Sequence, residues 1–105
     1  MFSGGDYEEV GRWLRNFVTS HAKRENVRVE AVVETEGLRE GMSYGVRLRL
    51  GERLLPPTGQ APMDLSFAEV AEGRGRLAWC SALAERVRAL ARQSSELGFG
   101  SRQSA

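Results

Sequence analysis

Hydrophobic residues recur at every third or fourth position from Tyr7 to Ala22, and this period predicts an amphipathic helix. Its apolar side carries Tyr7, Val10, Trp13, Leu14, Phe17 and Val18, and its polar side carries Glu8, Arg12, Arg15, Asn16 and Ser20. Asp6 stands where an N-cap residue accepts hydrogen bonds from the first turn, and Glu9 completes a capping-box spacing. We expect the helix to end in the polar stretch 21–26.

From Val27 the period changes to two, which is typical of a half-buried strand. The apolar side of this strand carries Val27, Val29, Ala31 and Val33, and the opposite side carries Arg28, Glu30 and Glu34. After a loop of about seven residues, Tyr44, Val46, Leu48 and Leu50 alternate with Arg47 and Arg49. The two runs predict an antiparallel pair with Glu30 and Glu34 beside Arg47 and Arg49 on the solvent face.

Segment 54–59, Leu-Leu-Pro-Pro-Thr-Gly, ends the second strand in this interpretation, because proline cannot donate to a ladder. Alternation over Met63–Phe67 favours a third strand, while 67–72 equally suits the start of a short helix. Gly73 and Gly75 then separate this segment from a final helix over Arg76–Gln93. The predicted apolar face of that helix comprises Leu77, Trp79, Cys80, Leu83, Ala84, Val87, Leu90 and Ala91.

The elements together predict an α+β fold of the order α-β-β-(β)-α, with both helices packed on one face of a small antiparallel sheet. Residues 1–93 are expected to form a single domain, and the Ser- and Gly-rich residues 94–105 a flexible tail. Val32 falls on the outer sheet face, and together with Leu54 and Leu55 it leaves a surplus of apolar side chains there.

Composition restricts the chemistry that the chain can carry. The net charge is +1, and the chain has one cysteine and one histidine, Cys80 and His21. These residues provide no disulfide and too few ligands for a zinc site, so we expect no metal and no cofactor. No apolar run approaches the roughly 20 residues that cross a bilayer, and the first residues lack a secretory-signal pattern. A cytoplasmic location is the resulting expectation.

Residues 72–79, Glu-Gly-Arg-Gly-Arg-Leu-Ala-Trp, introduce the last helix with a glycine-containing basic turn. This turn and the order of elements resemble the double-stranded-RNA-binding domain. The resemblance implies that Arg74 and Arg76 contact phosphates and that Glu8 and Arg12 lie on the first helix of the binding face. The consecutive lysines of that family are missing.

Catalysis receives little support from the sequence. A nucleophilic pair of Cys80 and His21 requires the two helices to bring both side chains together in a cleft. Inert packing is the commoner role of a lone cysteine on an apolar helix face.

The sequence therefore predicts a non-enzymatic interaction module that binds a protein partner or a second copy of itself, with a homodimer formed by edge pairing as one form. The predicted surface is a sheet edge or the outer sheet face around Val32, Arg47, Arg49, Leu54 and Leu55. The alternative is a nucleic-acid-binding module that uses the basic turn.

Overall fold

A four-stranded antiparallel sheet lies at the centre of the computed structural model, which describes residues 6–104, with side chains through residue 93. The strands are β1 (Glu30–Glu34), β2 (Ser43–Leu50), β3 (Arg53–Leu55) and β4 (Met63–Ser66). β1 pairs along one side of β2, whereas β3 and β4 share the other side. The predicted antiparallel pairing of the first two strands is confirmed.

Three helices accompany the sheet, which confirms the predicted α+β class: α1 (Tyr7–Glu25), α2 (Phe67–Gly73) and α3 (Leu77–Ser104). α1 packs against β1, while α3 packs against α1 and reaches β2. The two long helices run in the same direction, because Trp13 meets Trp79 at the start of α3 and Glu25 pairs with Arg88 further along it.

One apolar cluster forms the core of the described residues. The spacing of the buried α1 residues is the helical period read from the sequence, and Asp6 caps the helix by accepting from the Glu9 amide at 2.7 Å. The buried apolar residues are Val10, Leu14, Val18, Ala22, Val29, Tyr44, Val46, Leu48, Leu65, Phe67, Val70, Leu83, Val87 and Ala91. Trp13 and Trp79 pack against this cluster, as expected of core aromatics.

Tyr44 joins the central strand to α1. Its ring is fully buried and stacks on Tyr7 with a centroid separation of 4.7 Å, and its hydroxyl donates to the Tyr7 carbonyl oxygen at 2.7 Å. The Tyr7 hydroxyl donates in return to the Ser43 carbonyl oxygen. A Cβ at Gly11 would lie 3.0 Å from the Tyr44 ring, so glycine permits the close approach of helix and strand.

The segment after β2 differs from the prediction. β2 ends at Leu50, and a two-residue turn of Gly51 and Glu52 returns the chain as β3, with Leu54 opposite Arg49 and Leu55 opposite Leu48. Gly51 has a φ of 64°, which favours glycine at the first position of such a turn. The proline pair therefore ends this short third strand, and the prediction that it ends the second strand is wrong.

Segment 63–72 forms first a strand and then a short helix, the two structures between which the sequence leaves a choice. Met63–Ser66 pairs with β2 as a strand, which confirms the favoured prediction up to Ser66. Ser66 then accepts from the Glu69 amide at 3.0 Å and starts α2 as its N-cap.

Two predicted core positions are exposed instead. Val27 is 75% exposed because β1 begins only at Glu30, and Leu77 is 84% exposed in the first turn of α3. The backbone of α3 is helical through Ser104, beyond the predicted end near Gln93. The predicted flexible tail 94–105 lies outside the residues whose side chains are described, and its flexibility stays a prediction.

The connection between α2 and α3 depends on one glycine. Gly73 is buried, and a Cβ there would lie 2.3 Å from the Trp79 indole. Gly75, two residues later, is exposed, and its nearest neighbouring atom to such a Cβ is 3.9 Å away.

We expect Gly73→Ala to destabilise the protein by about 1–3 kcal/mol, because Trp79 must move away from the helix junction. The matched control Gly75→Ala is expected to change the free energy of unfolding by less than about 1 kcal/mol. Urea unfolding monitored by tryptophan fluorescence measures both. Equal effects of the two variants would contradict this account of the junction.

Candidate interaction surfaces

Ion pairs cross the outer face of the sheet between β1 and β2. Arg49 donates to Glu30 at 2.7 Å, and Arg47 donates to Glu34 at 2.8 Å. These are the cross-strand pairs that the alternation predicts. Val32 lies between them on the same face, opposite Arg47 in the register. Charges on this face are therefore largely neutralised within the sheet.

Arg47 is not on an open surface, which corrects the sequence interpretation. It is 6% exposed, because the chain after β3 crosses over it and the Pro56 and Pro57 carbonyl oxygens accept from its guanidinium at 2.7 and 2.8 Å. The side chain thus anchors the connection between β3 and β4. Arg49 remains exposed, and Arg47 is unavailable to a partner in this conformation.

A third arginine covers the other end of the outer face. Arg39 donates to Asp64 at 2.7 Å and to the Ser43 hydroxyl at 3.1 Å. Its guanidinium crosses Gly45 so closely that a Cβ there would lie 2.9 Å from it. Asp64, which alternates with apolar residues in the sequence, is an ion-pair partner of Arg39.

The other side of β1 differs from its paired side. Among residues 6–104, no strand pairs with β1 on the side away from β2. A groove, here called the β1 groove, runs between this open edge and α1. It has a section of about 440 Å³ near the start of α1 and a section of about 500 Å³ beside β1. Its helical wall is formed by Tyr7, Glu8, Gly11, Arg12, Arg15, Thr19 and Lys23.

A second groove, here called the β3 groove, lies beside the short third strand. It has a volume of about 410 Å³ and contains Leu54 and Leu55, the two residues that the sequence marks as surplus. Its lining comprises Leu50, Glu52, Arg53, Leu54, Leu55, Pro57 and Thr58. Both leucines are half-buried, so part of the expected apolar surplus is covered.

The residues that the RNA-binding resemblance selects lie in two places. Glu8 and Arg12 line the β1 groove together with the carboxylates of Glu36 and Glu40. Arg74 and Arg76 lie in the connection between α2 and α3, where the Arg76 guanidinium is 3.8 Å from the Glu72 carboxylate. Acidic side chains thus accompany the basic ones in both places, which weakens the attraction for phosphates.

Cys80 and His21 have different neighbours. The Cys80 thiol lies 3.7 Å and 3.6 Å from the carbonyl oxygens of Gly73 and Arg74. His21 packs on Phe17 with a ring-centroid separation of 4.5 Å, and its Nδ1 is buried without a hydrogen-bond partner. Neither side chain therefore has the contacts of a nucleophile and its base.

Arg15, Thr19 and Lys23 form the part of the groove wall that the sequence interpretation missed. They follow one another at spacings of four residues, the spacing of one helix face. This four-residue spacing can be read from the sequence, but only the sheet geometry places this face of α1 beside the unpaired edge of β1.

The described residues contain no group of three or more His, Cys, Asp or Glu side chains positioned to hold a metal ion. No helix among them has the length and apolar character to cross a membrane.

No family model matches the chain, and no match was found among curated proteins or among solved structures. The arguments for function therefore come from the geometry of this chain.

Substituting Arg47 is expected to affect stability far more than substituting Arg49. Arg47→Met leaves the Glu34 carboxylate and two proline carbonyls without their donor and is expected to cost about 2–3 kcal/mol. Arg49→Met removes an exposed pair and is expected to cost less than about 1 kcal/mol. Urea unfolding of both variants, which change the net charge equally, tests the difference. A larger loss in Arg49→Met would contradict the anchoring role of Arg47.

His21 makes stability depend on pH near neutrality. Burial, with the nearby charges of Arg24 and Arg88, lowers the pKa of His21. The unfolded chain therefore binds a proton at His21 more readily, and stability falls as the pH falls from about 7.5 to about 5. A hydrogen bond from Arg88 lowers the pKa of Glu25, so Glu25 titrates below this window.

Urea midpoints across that pH range measure the effect. We expect His21→Gln to flatten the dependence, because position 21 then no longer titrates. An equally steep dependence in His21→Gln would assign the effect to other groups.

Proposed function

We propose that this protein is a non-enzymatic interaction module that binds an extended polypeptide segment by adding it as a strand to the open edge of β1. The observation that carries the proposal is the combination of an unpaired strand edge with a groove along it. The proposal keeps the sheet edge that the sequence predicts and specifies which edge it is.

Backbone chemistry supports this mode of binding. In an antiparallel pair, alternate residues direct their N–H and C=O groups away from the partner strand, so a five-residue edge strand offers such groups to a further strand. Strand addition uses these groups for affinity and the flanking side chains for selectivity. The groove between β1 and α1 provides the room for the added strand.

The residues selected from the sequence take different parts in this proposal. Val32 lies on the receiving strand, and Arg49 positions Glu30 beside it. Arg47 supports the sheet from within. Leu54 and Leu55 line the β3 groove. This groove is the second candidate surface, because its lining is more apolar than that of the β1 groove near the start of α1.

Duplex RNA is the less supported alternative. An RNA duplex presents a continuous series of phosphates, and a protein normally meets it with several unpaired cations. Glu8, Glu36 and Glu40 line one section of the β1 groove. These carboxylates oppose a polyanion there.

Selection of random peptides of about eight residues, displayed on phage, tests the proposal directly. We expect the immobilised protein to enrich peptides that bind in extended form, and N-methylation at alternate peptide positions to weaken binding by about tenfold or more. Fluorescence anisotropy with synthetic peptides measures the dissociation constants. Failure to enrich any peptide, or indifference to every N-methyl position, would exclude strand addition.

Variants of the protein provide the matching control. Of the two variants Ala31→Pro and Val32→Pro, one removes an N–H that faces β2 and the other removes an N–H that faces the open edge. The variant that retains the wild-type unfolding midpoint is the edge-blocked one. We expect that variant to lose binding, while Leu54→Glu with Leu55→Glu retains it. The reverse result would move the site to the β3 groove. Binding of duplex RNA that is lost in Arg74→Glu with Arg76→Glu would support the alternative.

A further inference from the structure

Exposed apolar side chains flank β1 at both of its ends. Val27 is 75% exposed three residues before the strand begins, and Leu38 is 99% exposed four residues after it ends. The strand itself carries Ala31, Val32 and Val33, which are only half-buried. A further strand that brings apolar side chains to the same positions would remove this surface from water.

The two sections of the β1 groove carry opposite charge. The acidic section, near the start of α1 and the end of β1, is lined by three carboxylates and two guanidiniums, those of Glu8, Glu36, Glu40, Arg12 and Arg15. The basic section, beside β1 and the later turns of α1, contains Lys23 and shares Arg15 with the acidic section. Glu30 and Arg49 also line the basic section, where they neutralise each other at 2.7 Å. Lys23 marks the beginning of β1, because it donates to the Val27 carbonyl oxygen at 2.7 Å.

On these grounds we infer that the strand added at the open edge is β1 of a second copy of this chain, so that the protein forms a symmetric homodimer. The inference rests on the proposed strand addition and names the partner of that same edge. In the antiparallel register centred on Val32, Ala31 of each copy lies opposite Val33 of the other copy. The two-fold axis of such a pair brings the beginning of each strand to the end of its partner.

Apolar positions of the two copies match in this register. Positions 27 and 37 fall opposite each other, so Val27 of one copy comes to the end of the pair where Leu38 of the other copy lies. Ala31 and Val33 meet on the side of the sheet that packs against the core, and the two Val32 side chains meet on the outer face. Each copy thus covers apolar side chains that the other leaves exposed.

Charges match in the same way, because the two-fold axis places the basic section of each copy beside the acidic section of the other. Lys23 is brought towards Glu8 of the other copy, and Arg28, two residues before β1, comes opposite Glu36. Arg15 lines both sections, so it lies near the axis and beside the carboxylates of its own acidic section. Opposite charges across a strand pair stabilise it and fix its register.

Glu30 and Glu34 are the like-charged residues that this register places opposite each other. Each is bound to an arginine of its own copy, Glu30 to Arg49 at 2.7 Å and Glu34 to Arg47 at 2.8 Å. Two cations therefore accompany each contact of the two carboxylates and offset the repulsion between them. Because the paired strand is short and its flanks are polar, we expect a dissociation constant in the micromolar range.

Two highly exposed leucines provide a matched test of the interface. Leu38→Ser removes an apolar side chain from each end of the homodimer, and we expect it to raise the dissociation constant by about tenfold or more. Leu77→Ser changes the same side chain at an 84% exposed position of α3 and is expected to leave the constant unchanged. Sedimentation velocity over a dilution series measures both, and the edge-blocked variant is expected to stay monomeric. Equal constants for the two leucine variants would overturn the inference.

Exchange of charge between copies provides the second test. The acid-reversed variant carries Glu36→Lys with Glu40→Lys, and the base-reversed variant carries Lys23→Glu with Arg28→Glu. Either variant alone places like charges at both ends of the homodimer, so we expect its dissociation constant to rise by about tenfold or more. An equimolar mixture of the two restores opposite charges at both ends. We expect the mixture to form a heterodimer about as tight as the wild-type homodimer.

A control variant separates the charge pattern from net charge. Arg53→Glu with Arg86→Glu changes the net charge as much as the base-reversed variant does, at exposed positions outside α1 and β1. We expect this control to dimerise like the wild-type protein. An equal loss in the control, or a mixture of the two reversed variants that stays monomeric, would overturn the inference.

The outcomes distinguish this inference from the proposed function. Protein immobilised at low density keeps its β1 edges unpaired, so phage selection is independent of self-association. If the protein is monomeric while selected peptides bind at the β1 edge, strand addition holds and the second copy is the wrong partner. If neither a peptide nor a second copy binds there, both proposals fail. A dimer that persists in the edge-blocked variant uses another surface and overturns the inference.

Discussion

Contact between Tyr44 and α1 is the interaction on which the arrangement of this molecule depends. The buried ring occupies the space that Gly11 leaves open, and reciprocal hydrogen bonds link it and Tyr7 to the opposite backbone. Burial raises the pKa of the Tyr44 hydroxyl, so the group stays a neutral donor. This contact sets the distance between the helix and the sheet, and thus the width of the β1 groove.

Because α1 packs on one face of the sheet, the two faces have different chemical surroundings. α1 covers the apolar face, whereas the outer face is closed by arginines that pair with acids on neighbouring strands or loops. Arg47 is the extreme case, because a cation on the outer face becomes buried once the β3–β4 connection crosses it. On the side away from β2, β1 keeps an edge that no described strand pairs with.

Periodicity alone was enough to predict α1, the pairing of β1 with β2 and the ion pairs of Glu30 and Glu34, because each depends on neighbours along one element or across one register. The hairpin to β3 does not follow from the periodicity, because it depends on Gly51 acting as a turn residue ahead of the proline pair. Burial of Arg47 and the approach of Trp79 to Gly73 depend on distant segments, which a single-sequence pattern does not locate. The sequence marks Arg12 only through the family resemblance. Its position in the β1 groove depends on how α1 packs beside β1, which the sequence pattern does not give.

The acidic residues at the two ends of β1 also matter when the chain is not folded. Ala31, Val32 and Val33 have the composition of a short aggregation-prone segment, and Glu30 and Glu34 flank it directly. In a fibril built from identical stacked strands, each glutamate would lie about 4.8 Å from its copy above and below. Because both glutamates belong to the sequence itself, this repulsion opposes stacking whenever the segment is exposed by unfolding. An edge strand that no described strand covers therefore carries its own protection against amyloid growth during synthesis and refolding.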